Sequence, residues 1–245
     1  MLSHFIRNIQ LHQKINLKIY VDAFVTLFYP RSCHACYAKQ IDGNEMICME
    51  CLQKLPYTSF ESIKENLTQK LFWGRISTSF ACSIFYFEKE NILQNIIHQI
   101  KYRNEKKLGI FMGKLIGLKI NDLIKAHNID FMIPMPIHPK KEKKRGYNQA
   151  TLLCIGIKEI TKLEYIENAI VKIQQTETQT KKSRIERWLN VGQVFYAQNP
   201  QVILGKNILI IDDVITTGAS SEACGQILLE HGANSISICG LAHTL

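Results

Sequence analysis

Residues 208 to 221 read ILIIDDVITTGASS, a short apolar run followed at once by two carboxylates and a hydroxyl-rich turn. The run Ile208, Leu209, Ile210, Ile211 is continuous and mostly β-branched, as suits a central parallel strand covered by helices on both faces. Asp212 and Asp213 are then expected at the carboxyl end of that strand, the edge at which open α/β sheets meet their ligands. The turn Thr216-Thr217-Gly218-Ala219-Ser220 leads into Ala223, Ile227 and Leu228 at helical spacing, so it forms a helix start. Unpaired N–H groups and the positive end of the helix dipole favour an anion there. Gly218 admits close backbone approach, and the Thr and Ser hydroxyls add donors. The ordinary alternative is a buried strand that ends in an Asp-Asp turn and a Thr or Ser helix cap.

Two carboxylates would repel a bare polyphosphate, so they are better suited to accept hydrogen bonds from the vicinal hydroxyls of a ribose, with a divalent metal nearby. The expected ligand is a ribose 5-phosphate. The stretch resembles the phosphoribosyl pyrophosphate signature of type I phosphoribosyltransferases, in which paired acids contact the ribose hydroxyls and the next turn holds the 5-phosphate. That resemblance implies an α/β fold with a parallel sheet flanked by helices, and magnesium bound together with phosphoribosyl pyrophosphate.

Upstream, Cys33-His34-Ala35-Cys36 and Cys48-Met49-Glu50-Cys51 form two Cys-x-x-Cys knuckles. Such a pair can present four thiolates tetrahedrally to one zinc, and four protein ligands leave no position for water, so Cys33, Cys36, Cys48 and Cys51 are read as a structural zinc site. A redox dithiol needs only one such pair. The remaining cysteines, Cys82, Cys154, Cys224 and Cys239, are isolated and read as small core residues. Three regions follow: an N-terminal helical segment over 1–28, a zinc ribbon and connector over 29–75, and an α/β domain over 76–245. In the connector Phe60, Leu71, Phe72 and Trp73 are expected to pack at the junction.

The α/β region alternates strand and helix patterns, which predicts one parallel sheet. Strands are expected over 80–87, 131–133, 166–173, 194–196, 208–211 and 235–241. A helix carrying Ile92, Ile96, Ile97 and Ile100 ends in Lys101-Tyr102-Arg103. The next helix, over 107–126, has Gly109, Gly113 and Gly117 at every fourth position, a pattern for close helix packing. Pro134 and Pro136 end their strand at the ligand edge. The segment His138 to Lys144 reads as a basic loop able to neutralise a diphosphate or simply to be solvated. Arg145 and Asn148, at the turn into the following helix, are directed toward the crevice. Gln174 to Asn190 is polar and basic and reads as a mobile loop.

The formal charge of +9 and a pI near 9.1 favour anionic partners. No apolar run is long enough to span a membrane and no signal-peptide block is present, so a cytoplasmic protein is expected. Taken in order, the knuckles, Lys101-Tyr102-Arg103, Pro134-Met135-Pro136, Arg145-Gly146-Tyr147-Asn148-Gln149, the Thr176, Gln179, Arg187, Asn190 spacing and the Asp-Asp motif resemble the ComF family over about residues 25 to 242. The resemblance implies a phosphoribosyltransferase-like domain behind a zinc ribbon, associated with uptake of single-stranded DNA in natural transformation and hence with DNA-uptake or recombination proteins. By that match Asp212 and Asp213 hold the ribose, Thr216 to Ser220 hold the 5-phosphate, Pro136 lies by the pyrophosphate, and 174–190 is a closing loop. Lys101, Arg145 and Asn148 complete the expected binding set, and Arg187 is expected to meet the departing pyrophosphate. Three function classes fit: a phosphoribosyltransferase, a non-catalytic single-stranded-DNA-binding accessory factor, and a nucleotide-metabolite sensor. Tyr29, Arg31, Tyr37 and Lys39 are the candidate DNA contacts near the ribbon.

Overall fold

The computed structural model of the protein describes residues 32–38, 41, 45–88, 90–172 and 195–244. The expected N-terminal helix over 1–28, the loop over 174–190 with Arg187, and Tyr29, Arg31 and Lys39 lie outside the described residues.

The described chain begins at the cysteine knuckles, followed by the short helices α1 (Met49–Gln53) and α2 (Leu67–Lys70). Next come β1 (Ala81–Phe87), α3 (Ile92–Tyr102), α4 (Lys106–Ala126) and β2 (Phe131–Pro134). Beyond the ligand edge lie α5 (Pro139–Arg145), α6 (Gln149–Thr161), β3 (Ile170–Lys172) and β4 (Phe195–Ala197). The described elements end with β5 (Asn207–Ile215), α7 (Ala219–Glu230) and β6 (Ser235–Thr244).

Four strands form one sheet in the order β1-β6-β5-β2, with every neighbouring pair parallel. Strand β5 is central, and its apolar run explains why. Ile208, Leu209, Ile210 and Ile211 are all fully buried, and alternation sends them to opposite faces. Leu209 and Ile211 join the core formed with Leu93, Ile96, Met112, Ile116, Leu153 and Ile157, from α3, α4 and α6. Ile208 and Ile210 join Phe72, Cys224 and Leu228, on the side of α7. A strand covered on both faces needs such an unbroken apolar run.

Helices α4 and α6 approach closely because glycine lies at their crossing. A Cβ on Gly113 would stand 2.3 Å from the Leu153 carbonyl oxygen, and one on Gly156 would stand 2.0 Å from that of Ile110. The glycine spacing read from the sequence thus marks a helix contact, which fixes α6 and the crevice residues at its start.

The structure corrects several expectations. β3 and β4 do not join the parallel sheet but pair antiparallel with each other, with Val171 opposite Tyr196. The outer edge of β2 is already taken, since Met132 N–H donates to the Glu164 carbonyl and Ile166 N–H to that of Met132. The basic segment expected as a loop is helix α5. His138 Nδ1 accepts from Lys140 N–H, Pro139 occupies the first turn, and Gly146 ends the helix at φ 78°. Pro early and Gly at the exit are the usual boundaries of a short helix, and none of its residues is buried. Strand β5 runs on to Ile215, so the two acids lie within it rather than after it. Trp73, expected to pack at the junction, is 54% exposed, whereas Phe72 is fully buried.

The knuckle segment docks on α3: Asn95 Nδ2 donates to the Ala35 carbonyl at 2.8 Å, and Gln99 Nε2 to the Tyr37 hydroxyl at 3.0 Å. Cys33, Ala35, Ile47 and Leu55 belong to the same apolar cluster as the α3 and α4 side chains.

Candidate ligand crevice and cysteine cluster

Strand β2 ends with Pro134 opposite Ile211, one residue short of the acids, while β5 continues beside β6 with Asp212 opposite Gly240. The missing neighbour leaves a crevice of about 200 Å³ beyond the end of β2, with Asp212, Asp213, Lys101, Lys172, Arg145 and Gln149 among its walls. Pro136 and Asn148 also line it. It therefore brings together residues from α3, the β2–α5 connection, α6, β3 and β5.

The acids are adjacent in sequence but leave the strand toward opposite faces. Asp213 turns to the α3 side, where Lys101 Nζ meets its Oδ2 at 2.7 Å. Asp212 Oδ1 accepts the backbone N–H of Asp213 at 2.8 Å. Burial, and then the charge of Asp213, push the Asp212 carboxyl up to about 7, against the smaller opposing pulls of the Asp213 N–H, Lys101 and Lys172. A ligand that offers hydroxyl donors or a cation relieves that repulsion.

Asn148 has a positioning part in this structure. Its Oδ1 accepts from Ala150 N–H as the cap of α6, and its Nδ2 donates to the Met135 carbonyl, tying α6 to the connection after β2. Arg145 Nη1 donates to Gln149 Oε1 at 2.6 Å, and its guanidinium lies 5.6 Å from the Tyr102 ring centroid. Sequence reading quoted Gln149 in the 145–149 motif but gave it no role; it sits at the first position of α6 and is 3% exposed. The available signal was its position one residue inside a capped helix at the ligand edge.

The stretch Thr216 to Ser220 lies beyond the end of β5, running into α7, and is not part of the crevice wall. Gly218, at φ 72°, caps α7 with no side chain of its own, and the first N–H of the helix, that of Ala219, donates to Thr217 Oγ1 at 3.4 Å. Thr216, Thr217, Ala219 and Ser220 are exposed. A second contact missed from sequence holds this turn: Arg75 Nη1 donates to the carbonyls of Leu71 and Thr217, and Arg75 pairs with Glu222 in the first turn of α7. Phe72 packs so closely that a Cβ on Gly218 would lie 2.9 Å from its ring.

At the knuckles the sulfur atoms of Cys33, Cys36, Cys48 and Cys51 all lie within 4.8 Å of one another. Four thiolates bound to zinc at ~2.3 Å stand about 3.8 Å apart, so the cluster could hold one zinc ion. Cys33 Sγ accepts the N–H groups of Ala35 and Cys48 at 3.4 and 3.3 Å, which orients it inward. Burial, followed by the neighbouring thiols, raises the Cys51 thiol well above its ordinary range. None of the eight cysteines forms a disulfide.

No protein-family model matches the chain. Among curated proteins, the DNA utilization protein YhgH of Shigella flexneri is 27% identical over 62% of this chain and 68% of its own length. Competence protein F of Haemophilus influenzae is 27% identical over 64% of this chain and 69% of its own length. Competence protein ComFC of Bacillus subtilis is 34% identical over 43% of this chain and 41% of its own. These relatives support the ComF family for this chain. Among solved structures, a glutamine phosphoribosylpyrophosphate amidotransferase from B. subtilis aligns over 60% of this chain and 30% of its own, with 18% identity and a TM-score of 0.43. Among the described residues, no helix is long and apolar enough to cross a membrane.

Proposed function

We propose that the crevice beyond β2 binds phosphoribosyl pyrophosphate with magnesium, and that the protein serves DNA uptake from the cytoplasm. The observation that carries the reading is the pair Asp212 and Asp213, set one and two residues beyond the end of β2 and facing a crevice ringed by Lys101, Lys141, Arg145 and Lys172. Carboxylates are acceptors for ribose hydroxyls, and the ring of cations suits a diphosphate. The N–H groups at the start of α7, with the hydroxyls of Thr216, Thr217 and Ser220, are the proposed seat of the 5-phosphate. Asp212 and Asp213 are the residues whose charge fits magnesium, which would offset the diphosphate charge. Zinc on Cys33, Cys36, Cys48 and Cys51 is proposed as structural, since the four ligands close its shell.

Arg187 lies outside the described residues and is proposed to stabilise a departing pyrophosphate. If transfer occurs, Arg187→Ala lowers turnover by roughly a hundredfold to a thousandfold, as losing one charge-stabilising donor does. Pyrophosphate release over a panel of bases and amines tests this. Release from wild type no faster than spontaneous hydrolysis favours the binding-module reading, in which the pocket serves sensing or an accessory role. Single-stranded DNA is the proposed macromolecular partner, supported by the relatives named for competence and DNA utilization and by the +9 charge. Its affinity should fall steeply with rising salt as phosphate contacts release counterions. Affinity that stays flat with salt, or no binding at low salt, rejects that partner.

A further inference from the structure

Gln149 opens α6, a helix of 13 residues whose positive end faces the crevice. Its side chain is not free to turn. A guanidinium only donates, so the contact of 2.6 Å from Arg145 Nη1 fixes the amide oxygen toward Arg145 and sends the amide nitrogen the other way. That nitrogen, Nε2, is buried without a hydrogen-bond partner. Buried donors are almost always paired, because leaving one unpaired forfeits its hydration with no return. Gln149 lines both the crevice and a small apolar recess beside Lys101 and Asp213, where Lys101 engages Asp213 Oδ2 and no acceptor among the described residues meets Gln149 Nε2.

We infer that the Gln149 amide is a ligand-binding donor, held by Arg145 and completed by an oxygen of the diphosphate carried on the ligand's sugar. The inference rests on the phosphoribosyl pyrophosphate reading. Its place at the positive helix end, among Lys101, Lys141 and Arg145, selects an anionic oxygen over a hydroxyl. The arrangement trades stability of the free protein for ligand recognition, since the donor is satisfied only in the complex.

The test is titration of the full chain, wild type and the variants Gln149→Leu and Gln149→Glu, with phosphoribosyl pyrophosphate, inorganic pyrophosphate and ribose 5-phosphate, each with magnesium. Gln149→Glu keeps an oxygen for Arg145 but puts an anionic oxygen in place of the donor, so its loss supports the inference only together with that of the neutral Gln149→Leu. Both variants should bind phosphoribosyl pyrophosphate and pyrophosphate on the order of ten- to a hundredfold more weakly, as losing a hydrogen bond to a charged group does. Ribose 5-phosphate should bind them as it binds wild type, and free Gln149→Leu should melt no lower than wild type. In wild type the Gln149 side-chain amide resonance should shift on addition of pyrophosphate, a readout independent of any variant. Equal affinity of wild type and variants for phosphoribosyl pyrophosphate, or an unmoved amide resonance at saturation, overturns the inference and leaves the binding reading standing. An equal loss for ribose 5-phosphate overturns the diphosphate assignment. A wild type that binds none of the three overturns both.

Discussion

Lys101 at the end of α3 holds Asp213 of β5 by an ion pair of 2.7 Å, with each side chain about one-fifth exposed. The contact spans the two elements that flank the crevice, and it places a mobile cation on a carboxylate proposed to receive the ribose. A ligand carrying both hydroxyls and a diphosphate offers a partner to each side: hydroxyls to Asp213, phosphate oxygens to Lys101. Lys101→Met is therefore expected to weaken phosphoribosyl pyrophosphate binding by about tenfold or more, while thermal stability shifts by only about 1 kcal/mol. Tighter binding by the variant would mean that the pair acts only as a lock on Asp213.

The raised Asp212 carboxyl gives a pH signature. Its folded value of about 7 lies above the ordinary carboxyl value of 3.8, so between these limits the folded state holds the proton more tightly than the unfolded state. Stability from this group is full below about pH 4 and is lost as pH rises through 7. Asp212→Asn removes that loss. The variant's advantage in denaturant midpoint should grow from pH 4 to 7 and level off above, whereas a constant offset across this range would contradict the assignment. Ligand binding runs the other way: wild-type affinity should rise toward pH 8 as the carboxylate becomes available, with that increment absent in the variant.

Gly218 combines φ 72° with a Cβ position 2.9 Å from the Phe72 ring. Gly218→Ala is expected to destabilise the fold by about 1 to 2 kcal/mol and to reduce affinity for ribose 5-phosphate, because the start of α7 must shift. Calorimetric melting together with titration measures both. An unchanged melting temperature would show that Phe72 and the turn adapt freely.

Metal removal should reach beyond the knuckles. Asn95 and Gln99 of α3 bond to the carbonyl of Ala35 and the hydroxyl of Tyr37 within the cysteine region. Stripping zinc with a chelator should therefore speed hydrogen exchange in 92–102 as well as in 33–51. Faster exchange confined to 33–51 would separate the ribbon energetically from the helix, and a purified protein without metal would count against the site itself.

Much of this arrangement is legible in the sequence because it follows from periodicity. The four apolar residues before Asp212, short and mostly β-branched, read as a doubly covered strand, and Gly109, Gly113 and Gly117 at every fourth position read as a helix contact. The two knuckles carry their own spacing. What sequence reading missed depends on tertiary neighbours. Nothing local tells that the edge of β2 is taken by 164–166, and so that β3 and β4 must pair with each other. Asn148 and Gln149 are adjacent and similar in chemistry, yet capping geometry assigns the first to the Met135 carbonyl and leaves the second facing the crevice. Arg75 lies 142 positions from Thr217, a contact no motif announces.

The central claim is that the acids beyond β2 serve a ligand rather than the fold. Its most direct test is calorimetric titration of phosphoribosyl pyrophosphate with magnesium into wild type and into the double variant Asp212→Asn, Asp213→Asn, with circular dichroism to verify the sheet. The account predicts saturable binding by wild type and none by a folded double variant. Equal affinity in the two proteins, or no binding by wild type, would contradict it.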